Sequence, residues 1–420
     1  MICNLIKKCV LAKEPTEQSN FLWNMIGSGI YALSSMILSL FVINIVGAEQ
    51  GGVFSIAITL SQMLVFIAYF ETRNYQITDT QNEFTFSEYH ITKIILCIFM
   101  VFASLGCIII NVYDMRKSLI IMLVCFLRLC DGYADVYEGQ FQKEGRLDLA
   151  GKSLAYRTIL VVAGLIASLL FTRNLVVSLV IVDIIAILGI LLFDVATMYV
   201  LKGITCGGNY EQIKRIIVAC FPLFIGTFCW SYILSASRIA IDGNMSSEYQ
   251  SYYQVIFMPV SVVNLFAGFV FRPILPRLAG EYNAKKYKKF FGLIGKGIAG
   301  ITIITVTCMI GAWILGIPVL SALSGCDLKP YKAVLIFLIF AGGFNAIVVT
   351  MYYVLTIMRN NKGILIGYIS AAIFAFCISK PMVVKWGIPG AATSYFVVVA
   401  MLCLVFSIFI YKKITENRDK

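Results

Sequence analysis

Charge is scarce in this sequence. Asp, Glu, Lys and Arg make up 13% of its 420 residues, and 60% are hydrophobic. An average soluble domain carries about 25% charged residues. A soluble chain so apolar could not cover its own surface with polar groups, so the excess must face lipid. Histidine is nearly absent, His90 being the single example, and the 13 cysteines include no C-x-x-C pair. Neither a metal centre nor a disulfide framework is expected, and no cofactor. Cys97, Cys107, Cys125 and Cys220 lie inside apolar runs and read as small buried hydrophobes. No hydrophilic stretch exceeds about 25 residues and no P-loop pattern occurs. That leaves no room for a nucleotide-binding domain, for the cytoplasmic catalytic domain of a glycosyltransferase or for the long outer loop of a polymerase. The expectation is a protein that is not an enzyme and does not drive transport with ATP. The net charge of +12 would suit nucleic acid in a soluble protein. In this chain it reads as the positive-inside rule and contact with anionic lipid, with no nucleic-acid partner.

What is abundant is apolar length. A bilayer-crossing helix needs ~20 mostly apolar residues. Twelve stretches qualify: 20–45, 51–70, 91–112, 118–136, 153–171, 175–200, 214–241, 250–271, 291–317, 331–357, 363–380 and 388–411. With both termini cytoplasmic, 25 of the 34 Lys and Arg fall in cytoplasmic segments, Lys93 and Arg157 counted among them as the last residues of loops 71–93 and 137–157, and 8 in outer loops, while Arg128 stands in mid-span. This bias sets the orientation. Lys7, Lys8 and Lys13 precede a first apolar run that starts too late for a signal sequence, so no cleavage is expected. The expected organisation is a cytoplasmic segment (1–19), an N-lobe of six spans (20–200), a cytoplasmic linker (201–213), a C-lobe of six spans (214–411) and a cytoplasmic tail (412–420). A shift of 199 residues aligns Ile26-Gly27 with Ile225-Gly226, Glu49 with Glu248, Ala68 with Ala267, Phe70 with Phe269 and Arg73 with Arg272. A parallel repeat of this kind is common in transporters.

Ionisable groups inside spans are costly and should face an interior cavity or a partner. In the fourth span Arg128, Asp131 and Asp135 stand at i, i+3 and i+7 and share one helix face, which Glu138 continues. They form either an internal ion pair that locks helices or the wall of a hydrated cavity. Arg238 and Asp242 end a polar stripe in the seventh span (Thr227, Ser231, Ser235), and Asn24, Ser28, Tyr31 and Ser35 form one in the first. Asp183 and Asp194, eleven residues apart, fall on one face of the sixth. Arg73 and Arg272 end the second and eighth spans, either snorkelling to headgroups or offering phosphate a planar bidentate fork. Pro222 and Pro259 would bend their helices. Residues 282–296, with Tyr282, Lys285, Lys286, Tyr287, Lys288, Lys289 and Lys296, read as an interfacial basic segment.

Several segments, in order, resemble a known family. Leu22-Trp23-Asn24-Met25-Ile26-Gly27-Ser28-Gly29 and Val46-Gly47-Ala48-Glu49-Gln50-Gly51-Gly52-Val53-Phe54-Ser55 are similar to the start of bacterial O-antigen and polysaccharide flippases. Phe70-Glu71-Thr72-Arg73-Asn74-Tyr75-Gln76-Ile77-Thr78-Asp79 resembles the segment after their second span. Glu138-Gly139-Gln140-Phe141-Gln142-Lys143-Glu144-Gly145-Arg146 resembles the loop after their fourth, and Arg272-Pro273-Ile274-Leu275-Pro276-Arg277-Leu278 the stretch after their eighth. The resemblance implies an all-α polytopic protein of the multidrug/oligosaccharidyl-lipid/polysaccharide exporter superfamily, with two six-helix lobes around a central cavity. It implies a flippase in the bacterial inner membrane that moves undecaprenyl-diphosphate-linked oligosaccharide outward by alternating access, alongside a polysaccharide polymerase and a chain-length regulator. The residues expected to meet diphosphate or glycan are Arg73, Arg128, Asp131, Asp135, Arg238, Asp242, Arg272, Asn24 and Tyr31, in a chamber expected to be cationic. The rival readings are a multidrug or cation antiporter of the same superfamily and a membrane polymerase. The first span holds no acid between residues 20 and 45, which weakens the antiporter.

Overall fold

The computed structural model describes residues 16–201, 203, 207–271 and 274–418. Backbone polar groups in lipid must be satisfied within their own segment, and among the described residues there is no strand. Helices α1 (Glu17–Val46), α2 (Ala48–Tyr69), α3 (Thr72–Thr78), α4 (Phe86–Asn111), α5 (Met115–Lys143), α6 (Leu147–Thr172) and α7 (Leu175–Leu201) come first. They are followed by α8 (Tyr210–Asp242), α9 (Ser247–Phe271), α10 (Leu275–Asn283), α11 (Tyr287–Ser324), α12 (Lys332–Ile357) and α13 (Asn361–Arg418). α13 is two helices joined at Gly387, whose φ of 60° and ψ of −135° no helix contains. Counting α13 twice and setting aside the short α3 and α10, twelve helices of spanning length remain among the described residues, matching the twelve apolar stretches. Nine of the elements are apolar enough to cross a membrane on length and composition. α5 is 29 residues long and misses that composition because of its own charges.

Local chemistry starts and stops the helices. The Thr16 hydroxyl accepts the Ser19 amide at the start of α1. Thr85 and Glu88 close a reciprocal capping box on α4, and Asn174 accepts the Val176 and Val177 amides on α7. Such caps satisfy amides that have no partner within the helix. Gly47, with φ of 88°, turns α1 into α2 without a loop.

The chain divides into two compact units, Met1–Phe228 and Cys229–Lys420, and the division falls inside α8. In the first unit α1 and α6 meet at Gly27 and Gly151. A Cβ on either would run into the other helix's backbone, the Gly151 carbonyl of α6 for the first and the Trp23 carbonyl of α1 for the second. Lipid tails are as apolar as leucine, so helices associate through such small-residue contacts and polar bonds. α2 is the most enclosed helix of the unit. Its buried hydroxyls bond within the helix, Ser55 to the Gly51 carbonyl and Thr59 to the Ser55 carbonyl. An apolar cluster of Phe70, Phe84, Tyr89, Val136, Tyr137 and Phe141 underlies one end of α2, α4 and α5. In the second unit Gly297 packs on Phe271 and Gly343 on Thr305. Phe271, Leu278, Phe290, Val354, Met358 and Ile414 gather the ends of α9 to α13 into one cluster.

Candidate functional site

The charges of α5 decide where the first unit opens. Arg128, Asp131, Asp135 and Glu138 follow one another along one face, and α1, α2, α3 and α6 close around it. The result is a cavity of about 240 Å³ lined by Tyr31, Tyr69, Glu71, Arg73, Asn74, Asp131, Asp135, Glu138, Leu154 and Arg157. A smaller cleft beside it is lined by Arg128 and shares Tyr31, Asp131 and Arg157.

Every cation around this space among the described residues is engaged. Arg73 donates to Glu138 at 2.8 Å, to Asp135 at 3.5 Å and to Gln142 at 3.1 Å. Its side chain keeps 26% of its exposure, against 7% or less for the other three cations. Lys93 Nζ is wholly buried; it donates to Asp135 at 2.9 Å and to the Ala68 carbonyl, near the end of α2, at 3.0 Å. Arg128 donates to Asp131 at 3.0 Å, to the Tyr31 hydroxyl at 3.2 Å and to Ser35 at 2.6 Å. Arg157 is the hub. It donates to Glu138, lies 3.7 Å from Asp131 and places Nε 3.0 Å from Asp194. That last contact is ionic, since its angle is not that of a hydrogen bond. Ser153 holds the other Asp194 oxygen at 2.6 Å. Asp194 sits in a π-helical turn of α7, Ile190–Val195. Such wider turns re-aim a side chain relative to a straight helix. Asp183, earlier on α7, is buried with both oxygens lacking a hydrogen-bond partner.

The structure thus brings Tyr31, Arg73, Arg128, Asp131 and Asp135 together with Glu138 and Asp194, which the sequence also singled out, and adds residues the sequence reading missed: Lys93 and Arg157 as network partners, Tyr69 and Glu71 as lining. The lining of this cavity is acidic on balance: it carries four carboxylates (Glu71, Asp131, Asp135, Glu138) against two guanidiniums (Arg73, Arg157). The reason is the face of α5, which supplies three acids to the cavity for one arginine beside it. Lys93 and Arg157 are not loop cations at the headgroups but buried ion-pair partners. A signal for this existed, because both fall inside the apolar stretches 91–112 and 153–171. Asn24 is half-buried on α1 and does not line the cavity. Arg238 belongs to the second unit, where it donates to Gln254 at 3.3 Å and to the Leu234 carbonyl at 3.2 Å and lies 4.6 Å from the centre of the Phe257 ring. Asp242, at the end of α8, is half-buried. Arg272 lies outside the described residues. Among the described residues no cluster of metal ligands occurs.

No protein-family model matches the chain. It is 22% identical over 402 residues to a capsular polysaccharide biosynthesis protein, CapF, of Staphylococcus aureus, covering 94% of this chain and 99% of that protein. Its structure is similar to the lipid II flippase MurJ in an inward closed conformation, with a TM-score of 0.71 at 13% identity over 92% of this chain and 87% of that one. It is also similar to a multidrug resistance MATE transporter of the MOP superfamily in its inward-facing conformation, with a TM-score of 0.61 at 12% identity over 100% and 99% of the two chains. A third likeness is to the MATE multidrug transporter DinF-BH, with a TM-score of 0.62 at 14% identity over 94% of each. The chain is an all-α polytopic membrane protein with the fold that MurJ shares with the MATE transporters of the MOP superfamily.

Proposed function

We propose that this protein is a flippase for undecaprenyl-diphosphate-linked oligosaccharide, carrying the repeat unit of a surface polysaccharide from the inner to the outer leaflet of the bacterial inner membrane. The observation that carries the reading is the end-to-end relationship to CapF, a polysaccharide biosynthesis protein, in a chain that has the fold of a lipid flippase. In this proposal residues 20–200 and 214–411 are two lobes that alternate access around a central cavity, with both termini cytoplasmic. A polymerase and a chain-length regulator receive the product.

The chemistry assigned to the charged cavity follows from exposure. Arg73 is the most accessible cation of the network and is held by carboxylates it can exchange. A diphosphate carries more charge than Asp135 or Glu138 and accepts a bidentate fork, so it can take Arg73 from them while Arg128 and Tyr31 secure the wall behind. The carboxylates then hold Arg73 again after release.

The test uses purified protein in vesicles that contain undecaprenyl-diphosphate-linked oligosaccharide, with a membrane-impermeant glycosidase reporting the outer leaflet. Flipping is expected in the wild type and is expected to fall at least about tenfold in Arg73→Glu and Arg128→Glu. Unchanged flipping in both variants overturns the site. One observation favours the antiporter instead, namely the four carboxylates of the lining. Proton-driven uptake of an organic dye cation, without lipid flipping, would establish that reading.

A further inference from the structure

The most one-sided charge among the described residues lies at the end of the second unit where α10 meets α11. Arg277, Lys285, Lys286, Lys288 and Lys289 are all exposed there. Leu278 and Phe290, their neighbours in sequence, are buried in the cluster that also holds Met358 and Ile414. Arg359, Lys362 and Lys412 therefore leave the same end of the unit, and they too are exposed. None of these eight cations forms an ion pair among the described residues. In the first unit the treatment of loop cations is different. Lys143 pairs with Asp79, Arg146 and Lys152 with Asp148, and Arg215 with Glu83. The second unit has few acids with which to do the same, because Glu281 is the one acid between residues 249 and 326.

Like charges gathered at one end of a unit repel one another unless an anion lies over them. The surroundings indicate which anion. Lys288 and Lys289 open α11, an apolar helix long enough to cross a membrane. Phe291 beside them is 39% exposed, and Tyr282 and Tyr287 pack edge to face at 6.1 Å. Exposed and half-buried aromatics next to lysines at the end of an apolar helix are the chemistry of a membrane interface. Exposed lysines attract anionic headgroups without needing a shaped pocket. We propose that this surface is a docking site for anionic phospholipid headgroups, which neutralise the patch and fix the α10–α11 end of the unit at the bilayer surface. The proposal is independent of the cargo assigned above.

Native mass spectrometry of the full chain, released from bilayers of equal phosphatidylglycerol and phosphatidylcholine, tests it. The wild type is expected to retain phosphatidylglycerol over phosphatidylcholine by about tenfold, as expected for several lysines acting together. The preference is expected to weaken in about 0.5 M salt, which screens exposed charge. The variant Lys285→Gln/Lys286→Gln/Lys288→Gln/Lys289→Gln is expected to lose the preference while keeping the wild-type melting temperature, and Lys380→Gln/Lys385→Gln to keep it. Equal retention of the two lipids by the wild type, or a preference that survives in the fourfold variant, overturns the proposal. Displacement of phosphatidylglycerol by equimolar undecaprenyl diphosphate also overturns it, since the patch would then belong to the cargo.

Discussion

Arg157 shows how much one side chain can hold. Its guanidinium reaches Glu138, Asp131 and Asp194 from three directions and is 5% exposed. Removing one member of a buried ionic group strands its partners, at a cost of about 3–5 kcal/mol. Arg157→Gln should therefore lower the melting temperature in detergent far more than Lys296→Gln, an exposed lysine; equal shifts would contradict the hub role. Asp79 is the counterpart outside the spans. Burial alone would raise its pKa, but the Glu83 and Phe84 amides and Lys143 outweigh burial and hold it below the usual carboxylate range. A depressed carboxylate stabilises the fold fully above its unfolded pKa of about 3.9, and that stability is lost as pH falls through the lower folded value. Hydrogen exchange of the amides at 83 and 84 should accelerate beyond its intrinsic pH trend only below about pH 4. In Asp79→Asn exchange should be fast at every pH, with that acid step gone.

At the scale of helices, contact between α1 and α6 rests on two residues without side chains. Gly151→Val forces a branched side chain into the Trp23 carbonyl. Overpacking of this kind costs about 1–3 kcal/mol or more. Gly29, two positions along α1 from Gly27, has nothing within 4 Å of where its Cβ would stand. Gly29→Ala should leave stability unchanged or raise it by up to about 1 kcal/mol through helix propensity. Melting of the two variants, measured side by side in detergent, decides the point; similar losses in both would mean that the close approach does not govern this pair. The same physics separates Asp194 from Asp183 on α7. Eleven residues of ideal helix would align them, but the turn Ile190–Val195 is π-helical, and Asp194 meets Arg157 and Ser153 while both Asp183 oxygens lack a hydrogen bond.

On the flippase proposed above, the balance of charge would matter more than its sign. A cavity of free cations would bind a diphosphate tightly and release it slowly. A cavity whose cations are already held by carboxylates exchanges one anion for another, which favours turnover over affinity. The double variant Asp135→Asn/Glu138→Gln should therefore bind undecaprenyl diphosphate more tightly than the wild type and flip it more slowly. Binding would be followed by lipid titration and flipping by glycosidase access. Weaker binding in this variant would mean that the carboxylates support the ligand rather than compete with it.

The apolar runs alone determined the twelve membrane-length helices found among the described residues, because the bilayer dictates both segment length and internal hydrogen bonding. They likewise made the shared face of Arg128, Asp131 and Asp135 visible, since helical spacing is local. Which groups neutralise that face was decided by the tertiary structure. Lys93 and Arg157 looked like loop cations because hydropathy averages over a window and cannot say where one side chain ends. Only packing brought α4, α6 and α7 against α5, and with them the partners that pair with its charges. The exposed lysines between α10 and α11 and at the start of α11 were legible as a basic segment, but that they form no ion pair among the described residues depends on which helix ends meet there, which no linear pattern records.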